Sequence, residues 1–418
     1  MTAPRLALAG ALLLSCSCAG RPGAGSTSAT RDSAGVEIVE NPNGTWETGK
    51  AWTIAAEPSL DIGGGERPEI DLVQVTGAVR LGDGRIAVAT LNEIRFFDAS
   101  GNHLLSAGRK GSGPGEFQAV GGLWRSAGDS LLASDMMLQR LSVLAPNGDY
   151  HRSFNLGAQA QLAPGPGGQF GMAIPVGLLG DGSIIGMRLG FTIGAKHEGS
   201  YRDSVALIRY GTDGSVTDTL GRFPGIEMVD AVLSFGGQSM PTPGPVPLGK
   251  VTATGVGAET FYVATNAQWE IEARNPDGTL RRIIRVAAPA ARVAESEVAA
   301  HKQEQKDVLE GTPQFRSIPQ QFKDQFLARI DNATYPETKP WIAGIFPVSD
   351  GTLWVEEFGT AGNPSRRYAI LGADGRFLGR LDGPPKFRMT AAYPDGIIGV
   401  WKDENDVEHV RFYPVARS

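Results

Sequence analysis

The sequence predicts an all-β protein, a six-bladed β-propeller of four-stranded antiparallel blades, and three observations predict it. Glycine supplies 56 of 418 residues, about 13% against roughly 7% in average proteins, without a collagen period. Such a chain makes many tight turns between short strands. A unit of four short β-rich runs recurs along the chain, and fixed self-similarity is the mark of a repeat architecture. The sixth copy stops after its third strand, and an unassigned β-like stretch near the N-terminus can complete it.

The composition narrows the function classes. Charged residues are 20%, hydrophobic residues 41%, and the formal net charge is −6. That is too apolar for a disordered chain and too acidic for a general nucleic-acid binder. Two cysteines exclude a disulfide scaffold, and no apolar run is long enough for a multi-span membrane protein.

The first segment reads as an address. Arg5, an apolar run over 6–14 and a small residue before Cys16 describe an export signal. Leu13-Leu14-Ser15-Cys16 resembles the bacterial lipobox, which makes 1–15 a lipoprotein signal peptide and Cys16 the lipidated residue. Cys18 fits less well, because Ser15 would stand where leucine is wanted. Ser17 is not the aspartate associated with inner-membrane retention, so the expected destination is the outer membrane. Residues 16–34, rich in Gly, Ser, Ala and Thr, read as a flexible tether, and 35–418 as the propeller.

The repeat is clearest in its first copy. Ala78–Leu81, a Gly82-Asp-Gly84 turn, 85–89, 94–98, an Ala99-Ser-Gly101 turn and Leu104-Leu105 give alternating or β-rich runs joined by hairpin turns. Later copies carry the turns Asn147-Gly148, Asp213-Gly214, Asp277-Gly278 and Asp374-Gly375; the sixth holds Asp395-Gly396, Ile397, Ile398 and 410–412. Residues 51–62, with Trp52, Ile54, Leu60 and Ile62, supply its missing outer strand. A shared blade ties the termini together and removes an open edge. Val36–Asn41 is the stretch that could add a seventh blade.

These residues carry a family resemblance. Gly111-Ser-Gly-Pro-Gly-Glu-Phe117 after the first blade, Asp98-Ala-Ser-Gly101 within it and Arg31-Asp-Ser-Ala-Gly-Val36 before it make residues 34–418 resemble six-bladed β-propeller lipoproteins related to the NHL-repeat group. The Gly-Pro-Gly-Glu-Phe element appears once, where NHL proteins often repeat it. The resemblance implies the fold more firmly than any activity.

Length beyond the bare unit collects at 157–173, 190–202, 221–248 and 288–340. All fall where blade-to-blade crossings and second-to-third-strand loops share a face, and insertions on one face mark a binding surface. The 288–340 insertion is helical in pattern: Pro319 suits a helix start, and Phe322, Phe326 and Ile330 recur every fourth residue. Val293, Val298 and Leu309 suggest a weaker helix before it. The phenylalanine stripe is expected to pack down on the propeller as a cap.

Few motifs survive inspection. Gly244-Pro-Val-Pro-Leu-Gly249-Lys250-Val251 nearly spells a phosphate-binding loop, but Pro245 and Pro247 lack the required N–H groups. His197-Glu198 lacks a second histidine four residues on, and there is no G-x-S-x-G elbow. No catalytic residue is assigned. Asn92, Asp135 and Asn266 follow the second strand in three blades, where their oxygens could gather a hard cation or a polar ligand. Short Asx residues also close turns on their own backbone. Trp269, Trp354, Glu356 and Glu357 are further ligand-binding candidates.

Two functions follow. One is a non-catalytic binding or scaffold lipoprotein, presenting its loop-rich face to a protein, peptide or glycan, needing no cofactor, binding no nucleic acid and touching the membrane through its lipid alone. The alternative is a metal-dependent hydrolase or lyase: propellers resembling this chain include lactonases and lyases that hold a divalent cation at the channel mouth as a Lewis acid.

Overall fold

The computed structural model describes residues 28–417, except 43–45, 48, 65–69, 158–168, 193–196, 236–237, 313–314, 316 and 360–364. Cys16 and the signal segment lie outside the described residues. Six antiparallel sheets follow one another in chain order. Blade 1 is Gly77–Arg80, Ile86–Ala89, Ile94–Phe97 and His103–Ala107; blade 2 is Val120–Arg125, Leu131–Asp135, Arg140–Leu144 and Tyr150–Phe154. Blade 4 runs from Ala253–Val256 to Leu280–Val286, blade 5 from Ile342–Pro347 to Phe377–Pro385, and blade 6 from Phe387–Tyr393 to Glu408–Ala416.

The core is a ring of six apolar clusters, one in each gap between blades. Leu131 and Ala133 pack towards blade 1 with Phe96 and Phe117, while Leu132 and Leu141 pack towards blade 3 with Ile184 and Tyr210. Alternate side chains of a strand leave on opposite faces. A blade buried on both faces therefore reads as a continuous apolar run, as in fully buried Ile86–Ala89. The hairpin turns close on their aspartates. Asp181, Asp277 and Asp350 each accept the hydroxyl and the backbone N–H of the residue two positions on, and the hydroxyl bonds, then the N–H bonds, hold their carboxyls below the usual range against burial. Gly278 shows why glycine ends such a turn: its φ is +87°, and a Cβ would sit 2.7 Å from the Leu220 carbonyl oxygen.

The ring closes as the sequence predicts. Leu60–Gly63 pairs antiparallel with the third strand of blade 6, Ile62 opposite Val410 and Leu60 opposite Phe412, and Thr53–Ile54 pairs with its end. Asp61 binds Arg411 at 2.7 Å and His409 at 2.7 Å across this seam.

The N-terminal stretch departs from expectation twice. Within the expected tether, Ala29–Ser33 is a strand paired with Val36–Asn41. Its residues are all exposed, so no hydrophobic pattern announced it; the backbone ladder and the Ala34-Gly35 turn, both at positive φ, make it. Val36–Asn41 starts no seventh blade. It joins the outer strand of blade 4 in parallel register, Ile38 beside Ile283. From there the chain passes over blade 5, where Asn41 donates to the Gly375 carbonyl and Trp46 Nε1 to the Arg380 carbonyl, both at 3.0 Å. Trp46 stacks on Trp52, which leans on Trp354. The first described residues thus form a belt across blades 4, 5 and 6.

Much of the extra length expected as loops in blade 3 is strand. Gln169–Leu178, Ile184–Thr192, Ser200–Tyr210 and Val216–Phe235 run long, and Gln238–Pro245 folds back on the last of them. Pairing along Ser200–Tyr210 overrides the glycines and prolines that suggested loop. The result is an arm. Two helices, α1 (Glu295–Gly311) and α2 (Gln320–Asp331), fill the crossing between blades 4 and 5. The phenylalanine stripe does not pack down as a cap: no described residue of α2 is buried, and Phe326 stays exposed with its ring 6.3 Å from Phe315.

Candidate functional site: a cleft between the arm and the helical pair

The sequence-predicted residues do not converge on one point. Each Asx residue latches its own crossing. Asn92 donates to the Gln118 carbonyl at 2.8 Å. Asp135 Oδ2 accepts the Gln118 N–H at 2.6 Å and the Ala119 N–H at 3.3 Å, while Oδ1 accepts those of Met137 and Leu138. Asn266 donates to the Val251 and Ile342 carbonyls and accepts from the Trp341 and Ile342 N–H groups. The Asp135 and Asn266 oxygens already hold backbone N–H groups, so they do not fit a cation without leaving them. Among the described residues no three His, Cys, Asp or Glu side chains form a metal-binding group.

Of the remaining candidates, Trp269 and Glu357 join blades 4 and 5, Glu356 stays within blade 5, and Trp354 packs towards blade 6. Trp269 Nε1 lies 3.4 Å from Glu357 Oε1, and Glu357 also pairs with Arg380 at 2.9 Å. Glu356 pairs with Arg366. Trp354 is fully buried against Trp52 and Tyr368. The pattern that sequence reading missed is an arginine near the start of third strands. Arg140 grips the Ser112, Gly113 and Glu116 carbonyls at 3.0, 3.1 and 2.5 Å, and Arg95 donates to the Asp71 carbonyl at 2.8 Å. Arg140 thereby fixes the glycine-rich crossing, whose Phe117 is fully buried.

A space of about 540 Å³ borders Asn92 and Arg95, and a larger one lies elsewhere. A cleft of about 740 Å³ separates the arm from the helical pair, with Asp230 and Pro245 on one wall and His301, Gln325, Arg329 and Tyr335 on the other. Pockets for small ligands measure about 300–1,000 Å³, so this one has ligand dimensions. The helical wall is anchored at its root by Glu297, whose Oε2 accepts the Ala294 N–H and whose Oε1 meets Lys339 Nζ at 2.7 Å. Farther along, the Arg329 guanidinium lies where a Cβ on Gly244 would stand, so glycine lets the arginine lie against the arm.

Two polar clusters shape the walls. Asp230 Oδ2 accepts the His197 N–H at 2.8 Å and Oδ1 accepts the Tyr201 hydroxyl at 3.1 Å. The His197 ring stacks on Tyr201 with centroids 3.5 Å apart. Burial, then the bond to Asp230, pushes the Tyr201 phenol up to about 12; the His197 N–H holds Asp230 below the ordinary carboxylate range. Opposite, His301 Nδ1 and the Tyr335 hydroxyl are 3.0 Å apart with rings nearly perpendicular. Asp230 and Tyr335 are far apart in sequence, and no local motif joins them.

Six radial antiparallel sheets closed by an N-terminal strand define this protein's class, the six-bladed β-propeller. Solved structures with likeness to it include a DUF4221 family member from Bacteroides vulgatus, at 11% identity over 89% of this chain and 100% of that one, with a TM-score of 0.49. Virginiamycin B lyase from Staphylococcus aureus matches at 9% identity over 87% and 99%, TM-score 0.39. A gluconolactonase from Xanthomonas campestris matches at 12% over 83% and 87%, TM-score 0.39. These similarities carry nothing about activity here. No family model matches the chain, and no curated protein matches it in sequence.

Proposed function

We propose that this chain is an exported, lipid-anchored binding propeller that holds a protein, peptide or glycan on its crossing-bearing face without transforming it. The observation that carries the reading is the cleft, because its two walls are the chain's largest additions to the bare propeller. A rigid disc keeps such walls in place, so little ordering cost falls on binding. The lining supplies recognition groups rather than a reaction centre: among the described lining residues Asp230 is the one carboxylate, and it is already hydrogen-bonded. Export and anchoring rest on the signal segment and Cys16, and placement in the outer membrane on Ser17.

Photo-crosslinking in cells tests the reading. A photoreactive residue replacing Gln325, in the cleft, should form ligand adducts, and one replacing Ser100, in a turn of the opposite face, should not. Adducts equal at both positions, or absent from both, would overturn it.

A further inference from the structure

We infer that the ligand of this cleft is a neutral glycan chain, an inference that rests on the binding reading above. The arm disfavours an extended peptide. Such a peptide commonly docks by adding a strand to a free sheet edge, with main-chain hydrogen bonds giving affinity. Here the Val246 N–H points inward, donating to the Glu227 carbonyl at 2.8 Å. Residues 228–235 pair with 238–245 in unbroken register, Asp230 opposite Pro243. N–H directions alternate along a strand, so those of residues 241, 243 and 245 would point to the free edge. All three are proline and have none. The edge that a peptide strand would pair with has lost three successive donors.

What the cleft does offer suits hydroxyl groups. Gln305 and Gln325 stand on the helices and Asn332 just beyond them, and each primary amide both donates and accepts. A sugar hydroxyl does the same, so every such contact can be satisfied in one of two senses. Among the described residues the charged lining groups are one carboxylate, Asp230, and one guanidinium, Arg329. They leave little net field to select an ionic ligand, which favours a neutral one. Pro245, Pro247 and Ile330 add apolar surface for the C–H faces of a sugar ring, and Tyr335 is held in place by His301. The glycan is bound and not cut: most glycoside hydrolysis needs two carboxyl groups flanking the bond, and the described lining residues present one.

The test uses the full chain in detergent, screened by calorimetry against a panel of neutral oligosaccharides of gluco, manno, galacto and N-acetylhexosamine type. Uncharged peptides of matching length run alongside. At least one oligosaccharide should bind saturably, and Gln325→Ala and Asn332→Ala, both surface changes, should each weaken it about tenfold while leaving the thermal midpoint in place. Oligosaccharide binding that both variants leave intact overturns the assignment to this cleft. Peptide binding that the variants weaken, with all sugars silent, overturns the glycan inference and leaves the binding reading standing. Silence from both sets, with position 325 giving no adduct in cells, overturns both.

Discussion

Glu297 and Lys339 form an ion pair at 2.7 Å with both side chains less than a tenth exposed. It ties the first turn of α1 to the segment entering blade 5, at the root of the helical pair. Lys339→Ala strands a buried carboxylate, and breaking such a pair from one side costs about 3–5 kcal/mol. The expected outcome is faster hydrogen exchange throughout α1, while Glu297→Leu combined with Lys339→Met recovers most of the protection. Equal loss in the single and double variants would show that the charge is not the cause.

Arg140 should be as sensitive. Its guanidinium serves three carbonyls of the Gly111–Phe117 crossing, a fork that lysine cannot reproduce. Arg140→Ala is expected to lower stability by about 3 kcal/mol, read from urea unfolding, and Arg140→Lys to recover less than half. Full recovery by lysine would reduce the clasp to a simple charge effect.

Closure of the ring can be attacked at one atom. Gly63 has φ of +136°, and a Cβ there would stand 2.7 Å from the Glu408 carbonyl oxygen. Gly63→Ala should therefore cost about 1–3 kcal/mol from strained backbone, with further loss from the clash. Limited proteolysis should then find its first cut in residues 49–64. An unchanged digestion pattern would argue that the seam tolerates the shift.

The Asp230 cluster sets a pH window at each end. Asp230 titrates lower in the folded chain than its ordinary 3.8. Its contribution is present above that value and fades as pH falls through the lower folded one. Tyr201 runs the other way. Raised from 10.0 to about 12, it contributes fully below 10.0 and loses that contribution as pH climbs to about 12. Protection of the arm, corrected for intrinsic exchange at each pH, should fall at both extremes. Asp230→Asn should abolish the acid limb and Tyr201→Phe the alkaline one; limbs that persist belong to other groups.

Cys16→Ala should abolish acylation and release the protein from the membrane fraction. Mass spectrometry of the purified chain reads the result directly, and lipid still attached in the variant would refute the assignment.

The sequence exposed what depends on local pattern. Turn aspartates and glycines marked the hairpins, and Leu60 with Ile62 showed by alternation that an orphan strand was waiting for blade 6. Pro319 and the spacing of Phe322 and Phe326 located α2. The destination of that stripe is a tertiary matter that spacing does not encode: Phe326 stays exposed beside Phe315. Ala29–Ser33 has no apolar face to announce a strand, and the arm's prolines look like loop until a neighbouring strand pairs with them. The cleft was the least legible feature: Asp230 lies on blade 3 and Tyr335 in the blade 4–5 crossing, and only the closed ring makes them neighbours. The arginines at 95 and 140 were legible in principle, since each follows an Asx latch by three to five positions.

The belt fixes an order of events during biogenesis. Glu37 binds Arg282, 245 positions later, and Asp61 binds Arg411, 350 positions later. The belt therefore finds its mates only after the strands of blades 4 and 6 have been made. Blades 1 to 3 can assemble while that segment stays unpaired, and the circle locks only when the final strand arrives.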